Sequence, residues 1–518
     1  MLRVPCLLLG CVLVLLCFHS PGLALGADVV SEPLSGAPAE AGSGPESGPS
    51  ASPAAPTVSA ASAADQASQP VQPDQQAQAV PAAQSDQGIQ SDQAVPAQKP
   101  GFERVTTIRG SFVLSPKSVI FSADGSRFYV NALEGLKTLV YDTATLKLAH
   151  VISHEFTEED AGLFLDNEST VFDYTYLVNR DPQKRNCFGG KPVEGVLTHA
   201  DRYLWVTYYR RTWDPRATSP SAVAIIDTQS NSIVRVMPTG PLPKMLAVSP
   251  DGRTLAITHW GDNSVALMDI SSDNPRDFHY VGLLVDGKRP DLRRVRGDRD
   301  KVCGHCLRGT VFSRDGRHLF VGRMHNGGIT VFDVRTRACL GTFRGVDPTP
   351  RHLVLSPDGT TLYVSCAASG TINALEVDRV LESLATGDTS YRGRSLAVGP
   401  DGRTLALSAD GRWIYVACNR MARLVMVDAL NWKVVDRVPA SPYPVGLAVH
   451  PDGTMVLTTA QGRKGRGGHV LDVFRVQGVK PLPVQPPAER PAQDGDREPD
   501  ETDDETDDEQ HVDTLSTW

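Results

Sequence analysis

One phrase recurs seven times along this chain and limits the folds open to it more than any other feature. At 246–259 it reads LAVSPDGRTLAITH, a short apolar strand, a turn and a second strand. Its variants are VIFSADGSRFYVNA (119–132), VLTHADRYLWVTY (196–208), TVFSRDGRHLFVGR (310–323), LVLSPDGTTLYVSC (353–366), LALSADGRWIYVAC (405–418) and LAVHPDGTMVLTTA (447–460). Asp-Gly occupies six of the seven turns and supplies the residue that tolerates positive φ in a tight hairpin. The following strand alternates apolar and polar residues, the pattern of a sheet with one face on a neighbour. Third strands such as TLVYDT, VAIIDT, VALMDI, ITVFDV and LVMVDA come next, with outer strands such as KVVDRVP after a further turn. Four short antiparallel strands repeated seven times predict an all-β fold, a seven-bladed β-propeller over 101–478.

The ends of the repeat region say how such a ring closes. The last blade supplies strands near 446–450, 454–459 and 469–476 and then runs into KPLPVQPP, which cannot continue a central ladder. It lacks an outer strand. FERVTTIRG at 102–110 has strand composition and is expected to complete that blade, removing an open edge.

These segments resemble the YVTN-type propeller repeat, in which SPDG is followed by a YVTN-like strand end, a loop and a strand closing on ID or VD. The resemblance spans about 101–478. It implies the propeller fold and a family that includes binding, surface-layer and adhesion-like proteins, with relatives among enzymes.

Outside the repeats the composition changes. Residues 1–24 read as a secretory leader: Arg3, the run CLLLGCVLVLLCF, then Pro21-Gly22 and small residues suited to cleavage near Ala24 or Gly26. The expected location is therefore periplasmic or extracellular. LLGC at 8–11 is similar to a lipidation box at Cys11, a lesser reading. No later stretch reaches the roughly 18 uninterrupted apolar residues of a membrane span. Residues 27–100 are rich in Ala, Pro, Ser, Gln and Gly and are expected to be a disordered linker. From 479 to 518 the chain reads as a disordered acidic tail, with twelve carboxylates against one Arg between Asp494 and Asp513. Residues 101–493 carry 48 Lys and Arg against 40 Asp and Glu, so the folded part is mildly basic although the whole chain is −9.

That surplus has a predicted place. In a propeller each inner strand starts on the face where the second strand ends. Five residues before the last inner-strand position stand Lys117, Glu194, Lys244, Arg308, Arg351, Arg403 and Val445, five of them basic. The second-strand ends add Ala132, Tyr208, His259, Arg323, Cys366, Cys418 and Ala460, with Trp260 beside His259. Insertions at 153–192 and 285–306 and the loop YYRRTWDPRATSPS (208–221) fall on the same face, whereas the opposite turns read as minimal. Lys117, Glu194, Lys244, Arg308, Arg351, Arg403, Tyr208, His259, Trp260 and Arg323 are thus candidate ligand-binding residues. They would frame a mouth for an anionic small molecule, polysaccharide or protein partner, on a monomer. The alternative is that these cations pair with Glu155, Glu158, Glu159 and Asp160 of the first insertion. Tyr208, Tyr209, Trp213 and Trp260 are candidates for ring stacking or for packing between blades. Nucleic-acid binding is a weaker reading of the same charge.

Removal of the leader leaves Cys187, Cys303, Cys306, Cys339, Cys366 and Cys418, an even number that favours disulfides in an exported protein. Cys303 to Cys306 is the expected local pair and Cys366 to Cys418 the expected pair between blades. A soft-metal site for zinc or copper drawing on Cys303, His305, Cys306, Cys366, Cys418 and His259 is the alternative. No GxSxG elbow, Walker loop or HExxH is present. The expected function is an exported recognition or scaffold module. The runner-up is a periplasmic enzyme or cofactor carrier, lactonase-like or redox, using the same face.

Overall fold

Twenty-eight strands form seven four-stranded antiparallel sheets in the computed structural model, which describes residues 99–165, 186–291, 294 and 296–484. The leader, nearly all of the linker, the acidic run from Asp494 and the middle of the 153–192 insertion lie outside the described residues. Six sheets are consecutive in sequence, from Pro116–Phe121 opening blade 1 to Lys433–Pro439 closing blade 6. Blade 7 combines Pro444–Val449, Met455–Ala460 and Val470–Gln477 with Gly101–Arg109 as its outer strand. The expected closure is therefore observed. Each inner strand packs against the next all round the ring, blade 7 against blade 1 included.

A Ser and an Asp build most of the turns between the first two strands. In blade 3 the Ser249 hydroxyl donates to Asp251 (2.5 Å) and accepts the Thr254 amide (2.8 Å), while Gly252 takes φ 70°. The same bonds recur from Ser122, Ser313, Ser356 and Ser408. Blade 2 has HADR here and turns instead through three left-handed residues, His199, Ala200 and Asp201.

The apolar surface is divided into seven buried clusters, one in each gap between neighbouring blades. Second strands face two gaps at once: Leu255 and Ile257 enter the gap to blade 2, Ala256 the gap to blade 4. They are buried on both faces, which corrects the expectation of one covered face. A second correction concerns the opposite face, where the α-helix Val377–Thr386 follows the third strand of blade 5 and packs on the outer strand Cys339–Phe343 of blade 4. Insertions are therefore not confined to one end of the ring.

Candidate functional site

Each inner strand begins with a slip in register. Pro116 pairs with Ala132 and Ser118 with Asn131, so Lys117 between them has no cross-strand partner. Lys244, Arg351 and Arg403 are skipped in the same way. Wider slips take in Arg308, Glu194 and Val445. A bulge leaves its extra residue out of the ladder and re-aims the side chain. Six of the seven inner strands follow a residue at positive φ, among them Ser115 (50°), Leu242 (53°), Thr349 (63°) and Asp401 (56°). The carbonyl of that residue accepts the amide one past the end of the second strand, as from Trp260 to Leu242 (2.9 Å) and from Gln461 to Tyr443 (3.2 Å).

The skipped side chains meet in one cavity of about 1070 Å³. Lys117, Lys244, Arg308, Arg351 and Arg403 all line it, within a wall that holds, among the described residues, thirteen Lys and Arg against three carboxylates. Glu194 lies behind that wall, 3.1 Å from Arg308 and 3.7 Å from Lys117. The three carboxylates on the wall are already paired: Glu134 with Lys191 (3.0 Å), Asp298 with Arg210 (2.9 Å) and Asp300 with Lys244 (3.5 Å). The insertion acids are elsewhere. Glu155 pairs with Lys137, and Asp160 caps its own short 3₁₀ turn, Glu158–Leu163.

Burial, with like charge beside it, weakens the cations' hold on their protons. Burial lowers Lys117 well below the ordinary lysine value, Arg403 adds to this and Glu194 opposes it. Burial takes Lys244 to about 7, against the pull of Asp300 and with help from Arg308 and Arg351. Arg403 falls to about 10 through burial and Arg308. Arg351 is lowered by burial and by Arg403 and Arg308. The Nε–H groups of Arg308, Arg351 and Arg403 are buried without a hydrogen-bond acceptor. Beside this ring, Lys244 stands 4.0 Å from the centre of the Tyr209 ring and 5.3 Å from that of Trp260, whose indole N–H donates to Asp300 O (3.3 Å).

The second set of predicted positions does not reach the cavity. Strand ends pair with the residue before each bulge, and the incoming loop covers them. His259 is fully buried: Nε2 meets Thr239 Oγ1 (2.8 Å) and accepts the Gly240 amide (3.0 Å), while Nδ1 meets Ser264 (2.9 Å). Tyr208 is fully buried among Phe156 and Phe188 and bonds His154 (2.8 Å). Arg323 is spent on Asp286 (3.3 Å) and Thr342 (2.8 Å). These three do not line the cavity in which Lys117, Lys244, Arg308, Arg351 and Arg403 meet, unlike the expectation that placed all of them at one mouth. Trp260 does line the cavity, whereas Trp213 packs on the cluster around Tyr208.

Of the two predicted disulfides one is present, Cys303 to Cys306 with Cα atoms 5.0 Å apart. Cys366 and Cys418 are free, because each points into a different gap: Cys366 lies between blades 4 and 5, Cys418 between blades 5 and 6. The expected soft-metal donors do not converge. Two of the sulfurs are joined, His305 lies 3.0 Å from Asp286, and His259 is enclosed by its own hydroxyl and amide partners. Among the described residues no three His, Cys, Asp or Glu side chains are grouped to hold a metal ion.

Sequence reasoning missed the loop 461–468, QGRKGRGG, which follows the second strand of blade 7 and brings Arg463, Lys464 and Arg466 to the cavity. The signal was a run of cations spaced by glycine straight after Ala460, on the predicted face. It also missed Asp298 and Asp300.

The family model "Lactonase, 7-bladed beta-propeller" matches residues 216–465. The hydrazine synthase subunit beta of Kuenenia stuttgartiensis is 23% identical over 183 residues, which are 31% of this chain and 43% of that relative, less than half its length. Among solved structures, the Cps50 (Swd1) β-propeller domain of Myceliophteria thermophila is similar at a TM-score of 0.50 and 15% identity, covering 73% of this chain and all of that one. A chain of the mitotic checkpoint complex is similar at 0.51 and 13% identity, covering 77% and 97%. These likenesses are of fold.

Proposed function

We propose that this chain is an exported recognition propeller that binds an anionic ligand or partner in its axial cavity. The observation that carries this is the wall of thirteen Lys and Arg, Arg308, Arg351 and Arg403 among them, against three already paired carboxylates among the described residues. An oxyanion entering the cavity meets this excess of Lys and Arg and can accept from the guanidinium and ammonium N–H groups on the wall. The same donor set repels a metal cation. The leader-like segment over 1–24 supports export.

Titration of the folded protein with tripolyphosphate by calorimetry tests the reading. Binding should weaken as salt rises, and Arg351→Gln with Arg403→Gln should reduce affinity about a hundredfold, two charge-assisted bonds of about 1.5 kcal/mol each. Unchanged affinity in a double variant that still melts cooperatively refutes it.

A further inference from the structure

The cavity is far larger than one oxyanion needs, and its cations come from several blades. Arg308, Arg351 and Arg403 stand at the ring, while Arg420, Arg463 and Lys464 stand on loops of blades 6 and 7 beyond it. Many cations from several blades around one cavity of this volume suit an anion with many charges. The chain contains one: DETDDETDDE at 500–509 has eight carboxylates and no cation. The described chain ends at Val484, after the Leu482 amide donates to Asp452 O (2.9 Å) in the first turn of blade 7, on the face opposite the cavity. Inner strands of blades 1, 3 and 7 are six residues long, which makes a blade about 20 Å tall, and four strands set side by side are about 15 Å across. A path out over the rim and back to the axis is therefore about 50 Å, or about fifteen extended residues. Fifteen residues beyond Val484 lie at the start of the acidic run.

We propose that the segment 500–509 of this chain occupies the axial cavity, lying among Arg308, Arg351, Arg403 and the cations of the 461–468 loop, and that any other anion must displace it. This rests on the anion-recognition reading above. It makes the acidic segment a built-in competitor. A tethered occupant acts at an effective concentration of about 1 mM, so an intrinsic Kd of about 0.1 mM for the segment weakens the apparent affinity for an external anion about tenfold.

The experiment compares the full chain with a full-length variant in which the eight carboxylates between Asp500 and Glu509 are changed to the corresponding amides. Tripolyphosphate should bind the variant about tenfold more tightly, with the difference shrinking as salt rises. A synthetic 494–513 peptide should bind the variant, and should cease to do so once Arg351→Gln and Arg403→Gln are added. Equal tripolyphosphate affinity in the full chain and the variant overturns the built-in competitor and leaves the anion site standing. Peptide binding that survives the two Arg changes places the segment elsewhere and also overturns it. Absence of tripolyphosphate binding to either chain sinks the anion-recognition reading, and this inference with it.

Discussion

The Glu194 carboxylate lies 3.1 Å from an Arg308 nitrogen and 3.7 Å from the Lys117 ammonium, so one negative charge serves two buried cations. Replacing it with a neutral isostere separates the two roles of the ring. Glu194→Gln should tighten tripolyphosphate binding by about tenfold, because uncompensated cations attract an external anion more strongly. It should also lower stability by about 3 kcal/mol, as removal of one partner from a buried pair does. Calorimetric titration and urea unfolding check both, and weaker anion binding would instead make Glu194 a positioning group.

Lys244 gives the site a pH dependence near neutrality. Burial takes its pKa to about 7 from 10.5. Affinity for an anion should therefore fall as pH rises through about 7, by about fivefold between about pH 6 and 8.5. Stability moves the other way. The unfolded chain holds this proton up to 10.5 and the folded one only to about 7, so stability rises with pH between those values and its deficit is complete below 7. Lys244→Met should abolish both trends, measured by titration and urea unfolding across that range.

His259, in contrast, should affect the fold and spare the ligand. Its contacts with Thr239, Gly240 and Ser264 are internal, and burial lowers its pKa from 6.5 to about 4, with Asp262 opposing. His259→Ala should cost about 3 kcal/mol in urea unfolding while tripolyphosphate affinity stays within about twofold. Because the unfolded imidazole takes up its proton at higher pH, the wild-type chain should lose stability as pH falls from 6.5 to about 4, and the variant should lose less.

Ring closure depends on the outer strand of blade 7. Phe102 packs against Tyr415 (5.6 Å) and Phe474 (6.0 Å), and its amide donates to Asp436 of blade 6 (2.7 Å). Deleting 101–110 should lower the melting temperature sharply and Phe102→Ala should cost about 2 kcal/mol, whereas deleting 27–95 should leave the melting temperature unchanged. Equal, small shifts from both deletions in differential scanning calorimetry would contradict the closure.

Local pattern was enough to give the blades, the closing strand and the members of the inner ring. Asp-Gly turns and apolar runs act over a few residues, so they can be read in order, and the count back from Ser249 to Lys244 follows strand geometry alone. What points Lys244 into the cavity is a bulge introduced by a left-handed residue, Leu242, whose type carries no sign of that conformation. His259 and Tyr208 looked exposed because they end strands. They are covered by chain arriving from the preceding blade, Thr239 and Gly240 over His259 and His154, Phe156 and Phe188 over Tyr208, whose path the sequence does not show. Cys366 and Cys418 occupy matching places in adjacent blades, yet a sheet between them sends their sulfurs into separate gaps. Periodicity and turn chemistry are properties of neighbours in the chain, whereas burial, the pairing of Glu194 with Arg308 and the closeness of Arg403 to Arg308 depend on which blade lies opposite, and only closure of the ring decides that.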